Sequence, residues 1–126
     1  MLNAKYIKIG GEQRKILFTR EALLKLERML PGGISLYSVV AGGILPMAAL
    51  IPAVAFGLEA GGLRPLDMEL VSKWVSKIER EEGPFNLLNS VMEAILASGA
   101  FGPIKVLHDE IEATVEEMDV SDKVKN

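Results

Sequence analysis

The sequence contains no cysteine and a single histidine among its 126 residues. The absence of cysteine excludes disulfide bonds and thiolate chemistry, and it is compatible with a reducing compartment. The histidine, His108, stands between Leu107 and Asp109. No neighbour in the sequence would make it a catalytic base, so we interpret it as a surface residue. The net charge of −3 argues against a nucleic acid partner, because such proteins present a concentrated basic face.

The patterns of catalytic, metal and cofactor sites are also missing from the sequence. Glu81-Glu82 and Glu116-Glu117 are adjacent pairs, whose side chains point to different faces of a helix and do not face each other. None of the Gly-Gly pairs is followed by the Lys-Ser/Thr of a nucleotide-binding loop or has Gly-x-Gly-x-x-Gly spacing. We therefore predict a protein that is not an enzyme, needs no cofactor and acts through protein–protein interactions.

Charged side chains are absent from residues 29–58, a length sufficient to cross a bilayer. We call these residues the charge-free segment. Two Gly-Gly pairs and three prolines interrupt it, and a proline inside a helix costs roughly 3 kcal/mol. The longest part without a Gly-Gly pair, residues 44–58, has the length of a buried core helix. We expect no signal peptide and a soluble protein. A small membrane-associated protein that inserts residues 34–58 is the alternative.

The turn residues and the apolar spacing predict one α+β domain, mostly α, over residues 1–118, and a flexible tail over 119–126. An N-terminal β-hairpin is followed by about five helices around one core. Strands over 5–9 and 14–18 flank Gly10-Gly11, a pair typical of a tight hairpin turn. The predicted helices cover residues 20–30, 46–58 (kinked or distorted near Pro52), 67–82, 85–97 and 103–118, while 34–40 is compatible with a short helix or an irregular buried segment.

Because an isolated hairpin is marginally stable in water, its apolar side chains are expected to pack on helices or on strands of another chain. Charge is also divided unevenly between the two ends of the chain: basic residues predominate before the charge-free segment and acidic residues after Phe101. Two solvated faces are the simpler interpretation. Head-to-tail association into a homo-oligomer is the alternative, because opposite charges would then meet at a heterologous interface.

The order of motifs along the chain carries further information. Two strands around a Gly-containing turn lead into a helix, and a Gly-bearing break, an apolar helix and two amphipathic helices follow. In chain order the motifs are Ile16-Leu17-Phe18-Thr19, Glu21-Ala22-Leu23-Leu24-Lys25-Leu26-Glu27, Ala55-Phe56-Gly57-Leu58, the helix start at Asp67, and Asn89-Ser90-Val91-Met92-Glu93-Ala94-Ile95-Leu96-Ala97-Ser98-Gly99.

This order resembles the tail assembly chaperones of long-tailed bacteriophages and the related small tail proteins of gene transfer agents. The resemblance covers roughly residues 5–102, and it includes the family's Phe-x-x-x-Ala-Leu-x-x-Leu-Glu helix, here from Phe18 to Glu27. The sequence departs from the family at the start of the apolar helix. The family usually has an acid or a base there, whereas this chain has Pro46 and Pro52.

The resemblance implies a non-catalytic protein of the infected bacterial cytoplasm. Such a protein binds the tape measure protein, recruits tail tube subunits during tail morphogenesis and leaves before the tail is mature. A permanent structural component of a virion tail or tail tip is the alternative. The apolar residues predicted to bind a partner are Ile7, Ile9, Ile16, Phe18, Met47, Ile51, Ile104, Leu107 and Ile111.

Overall fold

The computed structural model describes residues 4–102 of the chain. The predicted helix over 103–118, which contains His108, and the predicted tail over 119–126 lie outside the described residues. Within the described part, an N-terminal antiparallel hairpin precedes five α-helices. The predicted fold class, α+β and mostly α, is therefore confirmed.

The hairpin pairs β1, Lys5–Ile9, with β2, Glu12–Ile16, and Ile9 lies opposite Glu12 in the register. Gly10 and Gly11 form the connection with φ angles of 63° and 80°. Both central residues of a type I′ turn need positive φ, which glycine adopts without a steric penalty. The predicted turn is confirmed, while the second strand begins and ends two residues earlier than the sequence pattern indicated.

Helix α1, Arg20–Arg28, begins after Thr19, whose hydroxyl accepts a hydrogen bond from the Ala22 backbone N–H at 3.1 Å. This contact is the N-cap interaction that satisfies one of the free N–H groups at a helix start. The helix ends two residues before the predicted end. It buries Ala22, Leu23 and Leu26, which share one face of the helix and attach it to the core.

The charge-free segment folds into two helices joined by short turns. A 3-10 turn at Pro31–Gly33 precedes helix α2, Leu36–Gly42, and a second 3-10 turn at Met47–Ala49 leads directly into helix α3, Leu50–Ala60. Of the two conformations considered for residues 34–40, the structure therefore shows a short helix. The Ser35 hydroxyl accepts a hydrogen bond from the Ser38 N–H and caps the start of α2.

Near Pro52, where a kink or distortion was predicted, the structure shows a change from a 3-10 turn to an α-helix. Pro52 is the third residue of α3, directly after the 3-10 turn. The first four backbone N–H groups of an α-helix have no partner within the helix, so the missing N–H of a proline costs nothing there. The continuous helix predicted from Pro46 is thus wrong in its first turn, and α3 also extends two residues beyond the predicted end.

Helix α3 lies at the centre of the domain, in contact with α1, α4, α5 and β2. Its residues Ala53, Val54 and Leu58 are completely buried. The hairpin approaches it closely at Gly57, whose carbonyl oxygen accepts a hydrogen bond from the Leu17 N–H at 3.0 Å. A side chain at Gly57 would collide with Ile16, so this contact between strand and helix requires glycine.

Two amphipathic helices complete the described fold. Helix α4, Met68–Glu82, is capped by the Asp67 carboxylate, which accepts a hydrogen bond from the Leu70 N–H, and helix α5 spans Phe85–Ala97. Both agree with the predicted bounds. Val71 and Val75 are buried as expected, but Leu70 is exposed.

Candidate protein-binding surface

The apolar residues of the hairpin lie inside the domain. Ile7, Ile9, Ile16 and Phe18 are all buried and belong to the same hydrophobic cluster as α3. Of the two possibilities considered for them, the structure shows packing on the chain's own helices. These four side chains, predicted as partner-binding residues, therefore contribute no apolar surface to the exterior of the folded domain.

The other predicted partner-binding residues divide into three groups. Within residues 4–102, Met47 is the most exposed of the large apolar side chains, at 86%. Ile51 is partly buried and packs against the core. Ile104, Leu107 and Ile111 lie outside the described residues.

The exposed apolar residues are concentrated in the charge-free segment. Of the ten exposed large apolar residues in the described part of the chain, five fall between positions 29 and 47. Scattered exposed apolar residues are normal on soluble proteins, whereas a large contiguous apolar patch marks an interaction site. These five residues come from one stretch of the chain. We call these five residues the uncharged surface: Met29, Ile34, Tyr37, Ile44 and Met47.

Helix α2 separates its residues between the core and this surface. Leu36 and Val39 are buried, while Tyr37 is 70% exposed. Residues three apart lie on one face of a helix and their immediate neighbours point elsewhere. Sequence reasoning did not identify Tyr37 as a surface residue. The sequence feature that could have identified it is the N-cap residue Ser35, because the N-cap fixes where α2 begins and therefore which way each side chain points.

A groove lies beside Tyr37, where α1, α2 and the end of the described chain meet. We call it the α1–α2 groove, and it is lined by Arg20, Leu23, Leu24, Glu27, Leu36, Tyr37, Ala100 and Phe101. The Tyr37 and Phe101 rings meet edge to face, with their centroids 5.6 Å apart. This arrangement is favourable for aromatic pairs. The groove therefore joins an apolar floor to the exposed Tyr37 ring.

A carboxylate fixes the position of α2 against α1. The Leu36 N–H donates a hydrogen bond of 2.9 Å to Oε2 of Glu27. Leu36 is the first residue of α2, where backbone N–H groups lack partners within the helix and the helix dipole favours a negative charge. Glu27 was not predicted to have this role. The contact joins residues nine apart, so local sequence rules do not reveal it.

Two further contacts attach the neighbouring elements to one another. The Lys25 ammonium donates a hydrogen bond of 3.0 Å to Oε1 of Glu59, which joins α1 to α3. At the hairpin, the Arg14 guanidinium lies 4.7 Å from the centroid of the Trp74 ring, a cation–π contact. A side chain at Gly10 would collide with this ring. Trp74 thus packs against the hairpin turn.

The described residues contain neither a metal-binding cluster nor a single membrane-spanning helix. Among residues 4–102, no group of three or more His, Cys, Asp or Glu side chains is arranged to hold a metal ion. In the same range, no individual helix has the length and apolar character needed to cross a membrane. Helix α2 and the helical residues 47–60 meet those requirements only as a pair, with a bend of 118° between them.

Comparison of the chain with protein-family models, curated proteins and solved structures finds no match. The resemblance to tail assembly chaperones accordingly rests on the order of the sequence motifs.

Proposed function

We propose that this protein is a non-catalytic tail assembly chaperone that binds the tape measure protein during the assembly of a phage tail. The observation that carries the proposal is the uncharged surface, which exposes large apolar side chains from one segment of the chain. The removal of such apolar side chains from water is favourable, and a partner that covers them provides this stabilisation. Their exposure supports a role in binding a partner that has an apolar surface of its own.

The groove beside Tyr37 suits a helical partner. An amphipathic helix binds by placing its apolar side chains into a groove lined by apolar residues. Tyrosine is enriched among the residues that contribute most to binding, and methionine adapts its shape to different partners. Tyr37 and Met47 are the two most exposed residues of the uncharged surface. We propose that they contact the apolar stripe of the tape measure helix.

The remaining parts of the proposal follow from the same resemblance. The protein would act in the cytoplasm of the infected bacterium, bring tail tube subunits to the tape measure protein and leave before the tail is mature. Copies lined up along a long helical partner would contact one another, and opposite charges at the two ends of the chain support head-to-tail contacts. A reading frame immediately downstream that encodes a very long helical protein would strengthen the proposal.

The test is a pull-down of the tape measure and tail tube proteins from the same gene cluster. The natural chain should recover both, and the double variant Tyr37→Asp/Met47→Asp should lose the tape measure protein. A hot-spot residue contributes at least about 2 kcal/mol, so we expect Kd to rise by roughly 30-fold or more. Phe85→Asp is the matched control, because Phe85 is as exposed as Tyr37 but lies on α5.

The proposal fails if the natural chain recovers neither protein. If Phe85→Asp weakens binding as much as the double variant, the placement of the interface on the uncharged surface is wrong. Mass spectrometry of purified particles distinguishes the chaperone from a permanent tail or tail-tip component, because a chaperone should be absent from mature particles.

The membrane-associated alternative is favoured by one observation, the bent pair of apolar helices formed by α2 and residues 47–60. Expression without detergent decides between the two proposals. A protein recovered in the soluble fraction, with the helix content of the described fold, would remove the membrane alternative.

A further inference from the structure

The described chain ends at the α1–α2 groove. Phe101 is one of the groove's lining residues, and the Gly102 N–H donates a hydrogen bond to the Gly99 carbonyl oxygen, which closes a turn. The described part of the chain therefore ends directly beside an apolar groove. Because each residue extends a chain by at most about 3.3–3.6 Å, the first residues after this point stay within reach of α1 and α2.

The sequence that follows matches the groove in its apolar pattern. Apolar residues recur at intervals of three and four, the spacing that places side chains on one face of a helix. The positions are Ile104, Leu107, Ile111, Val115 and Met118. A groove lined by leucine and aromatic side chains is complementary to such a set of aliphatic residues, because their association removes apolar surface from water.

The charges are complementary as well. The sequence from 109 to 117 contains five acidic residues and no basic residue. On α1, Glu21 pairs with Lys25 at 3.8 Å, and the Glu27 carboxylate, which also lines the groove, accepts a hydrogen bond from the Leu36 N–H. Arg20 and Arg28 are exposed and form no ion pair among the described residues. With three basic and two acidic residues, α1 carries a net positive charge.

We infer that residues 104–118 of the same chain occupy the α1–α2 groove, with their apolar residues on Leu24 and Tyr37 and their acidic residues near Arg20. The same chain is the favoured source, because a segment attached at the groove has an effective concentration in the millimolar range. A segment from a second copy would have to compete with that concentration. The inference does not depend on the proposed function. Occupation of the groove would cover Tyr37, so a partner that binds there must displace the segment.

The absence of natural cysteine allows a direct test. Leu24→Cys combined with Leu107→Cys in the full chain places one thiol in the groove and one in the segment. Under mild oxidation at low micromolar protein, we expect an intramolecular disulfide, detected by non-reducing electrophoresis and mass spectrometry. Its rate should not depend on protein concentration. Circular dichroism verifies that the variant is folded, and a small thiol reagent measures the intrinsic reactivity of each cysteine.

The matched control is Phe85→Cys combined with Leu107→Cys. Phe85 is highly exposed and lies at the start of α5, about 18 Å from the end of that helix at a rise of 1.5 Å per residue. After correction for thiol reactivity, we expect the Leu24 pair to form its disulfide at least about tenfold faster, as expected for a docked segment with a high effective concentration. Equal rates in the two variants would overturn the inference.

Two further outcomes are informative. A disulfide-linked dimer whose rate rises with protein concentration would show that a second copy supplies the segment, and would overturn the assignment to the same chain. Arg20→Glu in the Leu24→Cys/Leu107→Cys background should slow the reaction several-fold at low salt and less at high salt, because salt screens exposed charges. An unchanged rate at low salt would contradict the predicted contact between the acidic residues and Arg20.

Discussion

Helices α2 and α3 come from the same charge-free segment but have different surroundings. Helix α3 is enclosed by α1, α4, α5 and the hairpin, and most of its residues are buried. Helix α2 contacts the domain on one side and exposes Tyr37 on the other. Absence of charge thus predicts burial only for the helix that other elements surround. On the helix at the edge, the same absence leaves an apolar surface in contact with water.

The largest expected effect compares a charge placed in each region. Leu58→Asp puts an unpaired carboxylate at a position with no solvent exposure, which costs about 3–5 kcal/mol or more. This is a large share of the roughly 5–15 kcal/mol that stabilises a typical domain, so we expect most of the protein to unfold or aggregate. Urea denaturation followed by circular dichroism measures the effect.

The control for this prediction is Ile44→Asp in the connection after α2, where the side chain is 68% exposed. It should change the free energy of unfolding by no more than about 0.5 kcal/mol. If Ile44→Asp destabilises the chain as strongly as Leu58→Asp, the distinction between the two regions is wrong.

A smaller effect compares two glycines. Gly57→Ala on α3 adds a methyl group that collides with Ile16, and overpacking of a core costs roughly 1–3 kcal/mol. Gly42→Ala at the end of α2 meets no atom within 4 Å, and its φ is not positive. It should stabilise the chain by about 0.4–1 kcal/mol, because alanine has less conformational freedom in the unfolded state. Thermal and urea denaturation of both variants measure the difference, and effects of equal sign would contradict the described packing.

The smallest effect concerns the ion pair that joins α1 to α3. Lys25 and Glu59 retain 39% and 25% of their side-chain exposure, so solvent weakens their attraction. A double-mutant cycle with Lys25→Ala and Glu59→Ala should give a coupling of about 0.2–1 kcal/mol, which decreases as salt is added. A coupling that does not change with salt would show that the pair is more deeply buried than described.

Much of the secondary structure was predictable because its signals are local. Gly10-Gly11 specified the hairpin turn, and Thr19 marked the start of α1. Asp67 marked the start of α4, and Gly83, with a φ of 77°, followed by Pro84, marked its end. Each of these signals acts over two to four residues through a positive φ angle, a capping hydrogen bond or a missing N–H. The first turn of α3 was misassigned, because the effect of Pro52 depends on its distance from the helix start.

The candidate site was less predictable than the fold. Of the predicted partner-binding residues, Met47 lies on the uncharged surface, whereas Ile7, Ile9, Ile16 and Phe18 lie in the core. An alternating strand pattern shows which residues share a face, but it does not show what covers that face. The α1–α2 groove depends on contacts between residues distant in sequence, such as Tyr37 with Phe101, and no local rule predicts them.

The sequence by itself determined the hairpin, the helical character of most of the chain and the presence of a long segment without charge. Only the tertiary structure decided how that segment divides between the core and the surface. The physical reason is that hydrophobic burial has no direction: it favours the removal of every apolar residue from water. Which residues remain exposed is decided by where the surrounding helices end, and here they leave Tyr37 and Met47 uncovered.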